Sequence, residues 1–338
     1  MKKYKKSFFL LIILIIVTFY YLFKNINLKE LIKILNNVEI IYIMISFLLF
    51  FSYLFFEALS LNSLLKKINY KKSIFTNLKY AFVDFYFCSI TPSAIGGQPM
   101  DVYYMNKDNI PLKKSTPILL INSIMFRLVL ILYGILAIIL RYYYLNKTTI
   151  IFLIVGFIIN ILFILIFLSS LIFKKFTYRT GYIIIKILYF FHILKKENSY
   201  LEKLESSILE FQEGYKFIKG DFFLLIKLFL FNFIQRGCLF LISYMVYRSF
   251  GFDNDNFISL MAIQILVSLS VDSLPIPGGV GLQEYLLSLL LINVYSENYM
   301  MPSLLMNRFL TYYLSLIFSS ITLLMNYIIM NKRKEEFV

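Results

Sequence analysis

Six long apolar runs constrain this chain more than any other feature of its sequence. Each run is close to the roughly 20 residues that a helix needs to cross the hydrocarbon core of a bilayer. The runs are residues 7–23, 40–65, 117–140, 149–173, 221–248 and 303–330. Hydrophobic residues make up 60% of the chain, above the usual share in soluble domains. We therefore predict an all-α, polytopic helical bundle, formed by one transmembrane domain over residues 1–338.

The polar composition excludes several other classes of function. The net charge of +15 collects in loops and tails beside the apolar runs, where it orients a membrane protein rather than binding nucleic acid. Cys88 and Cys238 lie inside apolar segments, which argues against a disulfide framework. His192 is the single histidine, so neither a histidine-ligated metal site nor a Ser-His-Asp device is expected. We expect no metal, no cofactor and no catalytic residue.

Two further segments, 73–99 and 257–296, are apolar but interrupted. The first contains "TPSAIGGQP" at 91–99 and the second "LPIPGGVGLQE" at 274–284. The two breaks resemble each other, because each contains proline and a pair of glycines. The first has Pro92 and Gly96–Gly97, and the second has Pro275, Pro277 and Gly278–Gly279. Irregular backbone at membrane depth is tolerated only where it is buried in protein or lines a wet cavity. Two such breaks indicate an inverted repeat with a site between its halves.

Basic residues predict the orientation of these segments. Lysines before the first run place the N-terminus in the cytoplasm, and lysines after the second run place residues 66–72 there. The tail "NKRKEEFV" is expected on the same side. Residues 73–116 then enter and leave by the cytoplasmic face, either as a re-entrant hairpin or as a span with a short polar return arm. Residues 257–296 begin and end outside, either as a re-entrant pair or as two full spans. We expect a multi-pass protein of the cell membrane with both termini cytoplasmic.

The basic stretch 174–220 is predicted to be a cytoplasmic amphipathic loop. It carries nine Lys and Arg residues against five Glu residues. Within "SYLEKLESSILEFQEG", Leu201, Leu204, Ile208 and Phe211 recur at helical spacing, which favours a surface helix lying on the bundle or on the membrane.

Seven ionisable residues lie inside the apolar segments, where each costs about 2.5–3.5 kcal/mol at mid-bilayer unless it meets a partner or water. They are Glu57, Asp84, Arg127, Arg236, Asp272, Glu284 and Arg308. One interpretation is a set of structural ion pairs. The other is a polar cavity for a charged headgroup, with arginines binding phosphate. Gln98 and Gln283 would donate hydrogen bonds, and Asp101 and Glu284 would orient an arginine or bind an ammonium group.

The four paired glycines have two interpretations as well. Gly96, Gly97, Gly278 and Gly279 permit close backbone approach and positive φ angles. Exposed amides at a broken helix end would form an anion site. The alternative is a tight re-entrant turn without a ligand.

Three motifs resemble those of a known family. "TPSAIGGQPMDVYYMNK", "PIPGGVGLQE" and "NRFLTYY" are similar to motifs of the lysylphosphatidylglycerol synthase transmembrane region, also called the flippase-like domain of the multiple peptide resistance factor. The resemblance covers nearly the whole chain, and it places Arg127 where many members carry an intramembrane arginine. Asp101 departs from it, because many members have a basic residue nearby. The motif residues are Pro92, Gly96, Gly97, Gln98, Pro99, Pro275, Pro277, Gly278, Gly279, Gly281, Glu284 and Arg308.

The resemblance implies translocation of an anionic or aminoacylated phospholipid such as lysylphosphatidylglycerol, which contributes to membrane charge and cationic peptide resistance. Arg127, Arg236 and Arg308 would share the phosphate, and Asp101, Asp272 or Glu284 would receive the aminoacyl cation. Two alternatives stay open, a phosphatidylglycerol lysyltransferase and a carrier of a polyprenyl-phosphate-linked substrate. Because the longest soluble segment is too short for an acyltransferase domain, a separate aminoacyltransferase chain is the expected source of lipid. The oligomeric state is left open.

Overall fold

A computed structural model describes residues 28–141, 146–190, 208, 215–216, 218–272 and 274–335. This part of the chain is helical and contains no strand. The predicted span 7–23 and the amphipathic segment 199–214, apart from Ile208, lie outside the described residues. The helices, in chain order, are α1 (Leu28–Asn36), α2 (Ile40–Lys67), α3 (Ile74–Ile90), α4 (Gly97–Lys107), α5 (Leu112–Arg141), α6 (Lys147–Ile172), α7 (Lys174–Phe190), α8 (Phe222–Ser249), α9 (Phe257–Val271), α10 (Leu282–Leu291), α11 (Glu297–Arg308) and α12 (Leu314–Glu335).

Five helical segments in the described part are long and apolar enough to cross a membrane. They are α2, α5, α6, α8 and the segment Glu297–Asn326, in which a π-helical turn at Phe309–Tyr313 joins α11 to α12. Each has at least 26 residues, or about 39 Å of helix, against a hydrocarbon core of about 30 Å. The predicted polytopic bundle is therefore confirmed. The last span begins at Glu297 rather than at 303, because the cap at Ser296 precedes the apolar run.

Helices α2 and α8 run antiparallel at the centre of the bundle and define its two faces. At one end, Lys67 Nζ lies 2.6 Å from Asp221 Oδ2. At the other end, the Glu39 amide donates to the Ser249 carbonyl over 2.8 Å. We call the side of Lys67 and Asp221 the first face, and the side of Glu39 and Ser249 the second face.

Helices α3 and α4 form a hairpin that opens on the first face. Lys72 Nζ donates to the Asp108 carbonyl over 2.6 Å, and Lys79 Nζ lies 2.5 Å from Asp108 Oδ2. The start of α3 and the end of α4 therefore meet. The two arms, about 26 Å and 17 Å long, are shorter than the hydrocarbon core. The segment thus enters and leaves on one side of the bundle, as a hairpin.

Helices α9 and α10 form a second hairpin that opens on the second face. Tyr295, after α10, packs its ring 5.5 Å from Tyr247 near the end of α8 and 5.6 Å from Phe252 before α9. The arms are about 22 Å and 15 Å long, too short for two full spans. Arm length therefore decides in favour of the re-entrant pair.

One constant shift along the chain relates the two hairpins and the helices that follow them. The first residues of the turns Pro92–Ala94 and Pro277–Gly279 differ by 185 positions, as do those of α4 and α10 and those of α5 and α11. Because the hairpins open on opposite faces, the two units have the inverted arrangement that the breaks predicted.

The same shift of 185 positions brings identical residues into correspondence. These pairs are Gly96 with Gly281, Gln98 with Gln283, Pro117 with Pro302, and Asn122 with Asn307. The expected correspondence of Gly96–Gly97 with Gly278–Gly279 is therefore wrong. The chain positions that match Gly278–Gly279 are Ser93 and Ala94.

The predicted loop 174–220 differs from the structure in its first part. Residues Lys174–Phe190 form helix α7, directly after α6. Only a bend at Phe173 separates the two helices, and Thr177 fixes it by donating its hydroxyl to the Ser170 carbonyl over 2.6 Å.

Candidate functional site

The tips of the two hairpins meet in the middle of the bundle. The Ser93 amide donates to the Leu274 carbonyl over 3.1 Å, which joins the two breaks directly. Nearby, the Tyr312 hydroxyl donates to the Ser89 carbonyl at the end of α3 over 3.3 Å. The breaks therefore form one continuous irregular region that reaches the centre of the bundle from both faces.

Each tip is a 3₁₀ turn that contains two residues in the left-handed region. In the second tip these are Gly278 and Gly279, with φ angles of 60° and 63°. A Cβ atom at Gly278 would also collide with the Tyr312 hydroxyl. Glycine is therefore required there both by conformation and by space.

The first tip meets the same backbone demand without glycine. Its left-handed residues are Ser93 and Ala94, with φ angles of 55° and 54°. Gly96 precedes α4 with helical angles, so the expectation of positive φ at the Gly96–Gly97 pair is wrong. These glycines allow close approach instead, because a Cβ at Gly97 would collide with Asp84 Oδ1 and lie 2.5 Å from Cys88 Sγ.

A polar cavity of about 220 Å³ lies between the hairpins and helices α2, α5 and α8. Its wall carries four carboxyl groups and three guanidinium groups, mixed with amides, hydroxyls and apolar side chains. The charged lining residues are Glu57, Asp84, Asp101, Asp272, Arg127, Arg236 and Arg308. Six of the seven in-span ionisable residues thus share one cavity.

Arg308 is held by the second hairpin. Its Nε lies 2.6 Å from Glu284 Oε1, and its terminal nitrogens donate to Gln283 Oε1 over 2.6 Å and to the Gly278 carbonyl over 3.2 Å. The guanidinium group also stacks 4.5 Å from the centre of the Tyr312 ring. Arg308 thus reaches the cavity with much of its hydrogen-bonding capacity used.

Glu284 fills the end of α10 that was expected to bind an anion. Its Oε2 accepts a hydrogen bond from the Gly281 amide over 2.7 Å, while Oε1 holds Arg308. A carboxylate at this position satisfies the helix N-terminus and its positive dipole end. Glu284 is buried behind the cavity wall, so the protein itself supplies the negative charge at this end.

Arg236 pairs with Asp272 less tightly. Its terminal nitrogen lies 3.2 Å from Asp272 Oδ2, and its guanidinium group stacks 3.8 Å from the centre of the Phe126 ring. Only 5% of the Arg236 side chain is exposed, and its Nε has no hydrogen-bond partner among the described residues. This donor is therefore suited to a polar group inside the cavity.

Arg127 lies across the cavity on α5. One terminal nitrogen donates to Asn160 Oδ1 over 2.8 Å, and the guanidinium group stacks 4.1 Å from the centre of the Phe163 ring. Arg127 lines the cavity, so its positive charge lies at the cavity wall.

The remaining predicted side chains also lie at this site. Gln98 donates to Ser123 Oγ on α5, and Gln283 accepts from Arg308; both glutamines line the cavity. Of the eight residues predicted to bind a headgroup, seven line the cavity and Glu284 lies behind its wall. Among the residues predicted for the breaks, Gly278 and Gly279 reach the wall. Those that do not line it are Pro92, Gly96, Gly97, Pro99, Pro275, Pro277 and Gly281.

Sequence reasoning assigned no role to several polar residues of the wall. Glu57 and Asp84 were recognised as charges inside apolar runs, but no ligand was assigned to them. The neutral amides were missed altogether, although an amide inside an apolar run is also costly to leave unpaired. The polar wall residues that were missed include Asn122, Asn160, Gln235 and Gln264.

The fold and the cavity define a class of protein. It is a polytopic helical membrane protein in which two broken hairpins, inserted from opposite faces, enclose a charged cavity. The chain belongs to the lysylphosphatidylglycerol synthase TM region family, whose model matches residues 8–319. This membership supports a membrane role connected with lysylphosphatidylglycerol. A search of curated proteins found no significant match.

Proposed function

We propose that this protein moves a phospholipid with an aminoacylated headgroup, such as lysylphosphatidylglycerol, from one leaflet of the cell membrane to the other. The observation that carries the proposal is the contact between the tips of two hairpins that open on opposite faces, beside a charged cavity. A headgroup could occupy this cavity while the acyl chains stay in the surrounding lipid. The family supports a phospholipid as the substrate.

Alternating access follows from this arrangement. Each hairpin reaches from one face to the centre, where the contact between Ser93 and Leu274 would separate the two sides of the passage. Movement of one hairpin against the other would open the cavity to each face in turn. A substrate that binds both states would allow this exchange without being trapped in either.

The arginines have different roles in this proposal. Arg236 and Arg127 would bind the lipid phosphate, because both line the cavity and Arg236 Nε has no partner among the described residues. Arg308 would instead hold the second hairpin through Glu284, Gln283 and Gly278. This assigns the phosphate to two of the three arginines first considered.

We also assign the first face to the cytoplasm. Lys66, Lys67, Lys71 and Lys72 lie at this face, beside the mouth of the first hairpin. Short loops rich in lysine stay on the cytoplasmic side. Lipid made in the cytoplasmic leaflet would then reach the cavity through the first hairpin.

Lipid movement can be tested in proteoliposomes with fluorescent lysylphosphatidylglycerol, by measuring how fast the inner-leaflet pool becomes accessible to a membrane-impermeant quencher added outside. We expect the wild-type protein to accelerate this exchange over protein-free liposomes and Arg236→Gln to slow it. Asp253→Asn, a change in an exposed loop before α9, serves as the matched control and should behave as wild type. Exchange at the protein-free rate with folded wild-type protein would refute the proposal.

The family description names a synthase, so a second candidate function is lysyl transfer to phosphatidylglycerol. The same proteoliposomes, supplied with phosphatidylglycerol and lysyl-tRNA, would show this activity as newly formed lysylphosphatidylglycerol in extracted lipid. Product formed by this chain alone would favour the synthase. Exchange of added lipid without new product would favour the translocase.

A further inference from the structure

Three carboxyl groups on one side of the cavity form no ion pair with any residue that the structure describes. Glu57 on α2, Asp84 on α3 and Asp101 on α4 all line the wall. None of them forms an ion pair within the described ranges of the chain. Their side of the cavity therefore differs from the opposite side, where Asp272 and Glu284 are both paired with arginines.

The three carboxyl groups interact with one another. Asp84 Oδ1 lies against Gly97, at the position where a Cβ atom of that residue would be. Asp101 lies one turn after Gly97 on the same face of α4. Asp101 interacts electrostatically with both Asp84 and Glu57, and Glu57 interacts with Asp84 and also, favourably, with Arg236. Like charges so placed repel one another, so additional positive charge beside Asp84 and Asp101 would stabilise the group.

Asp101 shows the strongest mismatch with its surroundings. The residue is only 2% exposed, and its Oδ1 has no hydrogen-bond partner among the residues that the structure describes. Glu57, also buried, accepts one hydrogen bond from Gln235 over 3.2 Å. An unpaired buried carboxylate is costly, which favours a ligand that brings positive charge.

The charge balance of the wall leads to the same conclusion. The ion pairs of Arg236 with Asp272 and of Arg308 with Glu284 are each neutral. The other charged or ionisable groups of the wall are three carboxyl groups and the guanidinium group of Arg127. On the side of the first hairpin, the wall thus has more carboxyl groups than guanidinium groups.

An unpartnered donor on Arg236 indicates the other half of a ligand. Arg236 Nε is buried and lacks a partner in the described part of the chain. A guanidinium nitrogen is suited to a phosphate oxygen. The wall therefore offers carboxyl groups for the positive charge of a ligand and a donor for its negative charge.

We propose that Glu57, Asp84 and Asp101 form a subsite for the ammonium groups of a cationic lipid headgroup, and that this subsite makes the cavity select an aminoacylated lipid over its anionic parent. The proposal rests on the proposed function, because it deepens the choice of substrate at the same cavity. Lysylphosphatidylglycerol adds two amino groups to the phosphate of phosphatidylglycerol, and its ε-amino group is charged at neutral pH. The parent lipid would bring only negative charge to an acidic wall.

The placement of the carboxyl groups favours an extended headgroup over a metal ion. No group of three His, Cys, Asp or Glu side chains within the described residues converges as metal ligands do. The carboxyl groups are instead spread over three helices along one wall. Two separate amino groups could each reach a different carboxyl group.

The subsite can be tested by thermal unfolding of purified protein in detergent micelles with added lysylphosphatidylglycerol or phosphatidylglycerol. A lipid that binds the folded state raises the unfolding temperature by mass action. We expect wild type to be stabilised by the lysyl lipid and far less by the parent lipid. Asp101→Asn should weaken the apparent affinity for the lysyl lipid at least about tenfold and leave the weak response to the parent lipid unchanged.

A second readout separates this role from a structural one. If the three carboxyl groups repel one another, Asp101→Asn without lipid should be as stable as wild type or more stable. Glu57→Gln and Asp84→Asn, like Asp101→Asn, should lose selectivity for lysylphosphatidylglycerol over phosphatidylglycerol. The control Asp253→Asn should keep the selectivity of wild type. A loss of stability in lipid-free Asp101→Asn would mean that the carboxylate holds the fold, and it would overturn the proposal.

Three further outcomes also decide the matter. Equal stabilisation of wild type by both lipids would overturn the subsite. The subsite would also be overturned if Na⁺ or K⁺ stabilised the protein more than a large organic cation does at equal ionic strength. The carboxyl groups would then bind a free inorganic ion rather than a lipid ammonium group. Selective binding without acceleration of lipid exchange would instead retain the subsite and refute the proposed translocation, so the two failures are distinguishable.

Discussion

The amide of Ser93 donates a hydrogen bond to the carbonyl of Leu274 over 3.1 Å, so one backbone contact joins the two hairpins at their tips. The two residues belong to turns that enter the bundle from opposite faces. In the proposed translocation, a headgroup that passes from one hairpin to the other would have to cross this contact. The tip contact would then be the closed point of the passage.

Fixing the tip contact should stop lipid movement. In a background with Cys88→Ser and Cys238→Ser, we would introduce Ser93→Cys and Leu274→Cys and join them with an oxidant or a short bis-maleimide. Exchange of fluorescent lipid should fall to the protein-free rate after cross-linking and recover on reduction of the disulfide. The physical reason is that separation of the hairpins requires the tips to part.

The matched control joins two helices that the proposal treats as fixed. Lys67→Cys with Asp221→Cys replaces the ion pair between α2 and the start of α8, where the charged atoms lie 2.6 Å apart. Cross-linking this pair to the same extent should leave exchange unchanged. Full exchange in the protein cross-linked at its tips would show that the hairpins need not separate.

The ion pair between Arg308 and Glu284 should cost more free energy to break than the partly exposed ion pair between Lys67 and Asp221. Both side chains are buried, and their atoms lie 2.6 Å apart. Removal of one partner leaves an uncompensated buried charge, so Glu284→Gln and Arg308→Gln should each lower the free energy of unfolding by about 3–5 kcal/mol. The double variant should lose less than the sum of the two single losses, as measured by denaturant titration in micelles.

The partly exposed pair of Lys67 and Asp221 provides the comparison for this cycle. Asn at position 221 keeps a helix-capping oxygen, so Lys67→Gln and Asp221→Asn remove the ion pair and little else. Their coupling should be much weaker than that of the buried pair, because solvent screens exposed charges. Equal coupling in both cycles would show that burial does not strengthen the bond between Arg308 and Glu284.

Gly278 should tolerate alanine less well than another glycine with a positive φ angle. Gly278 and Gly251 have φ angles of 60° and 81°, so alanine is strained at both. An added Cβ at Gly251 meets nothing within 4 Å, whereas at Gly278 it collides with Tyr312. Gly251→Ala should cost about 1–2 kcal/mol, and Gly278→Ala clearly more.

A second substitution checks the cause. Tyr312→Ala in the Gly278→Ala background should recover part of the loss, so that the two changes together cost less than their sum. Thermal unfolding in micelles provides the measurement. If Gly278→Ala and Gly251→Ala were equally destabilising, the tip would be able to shift away from Tyr312, and the second hairpin would be less tightly packed than the structure describes.

Much of the fold could be predicted because its signals are local. Apolar length predicted the five spans of the described part, and the prolines and glycines marked both breaks. The correspondence of the breaks was harder to predict. Ser93 and Ala94 adopt left-handed angles without glycine, so residue type directed attention to Gly96–Gly97, whereas backbone conformation matches Ser93 and Ala94 with Gly278 and Gly279.

The sequence by itself determined that charged residues would lie at membrane depth and would need partners. The reason is that an ionised side chain inside an apolar span costs free energy unless it meets an opposite charge or water. Tertiary structure decided which charges are paired. Arg308 finds Glu284 and Arg236 finds Asp272 across 24 and 36 positions, and each pairing depends on how helices rotate and pack. The same packing leaves Asp101 Oδ1 without a hydrogen-bond partner among the described residues, near Asp84 and Glu57. This relation between three helices is not encoded in any local pattern.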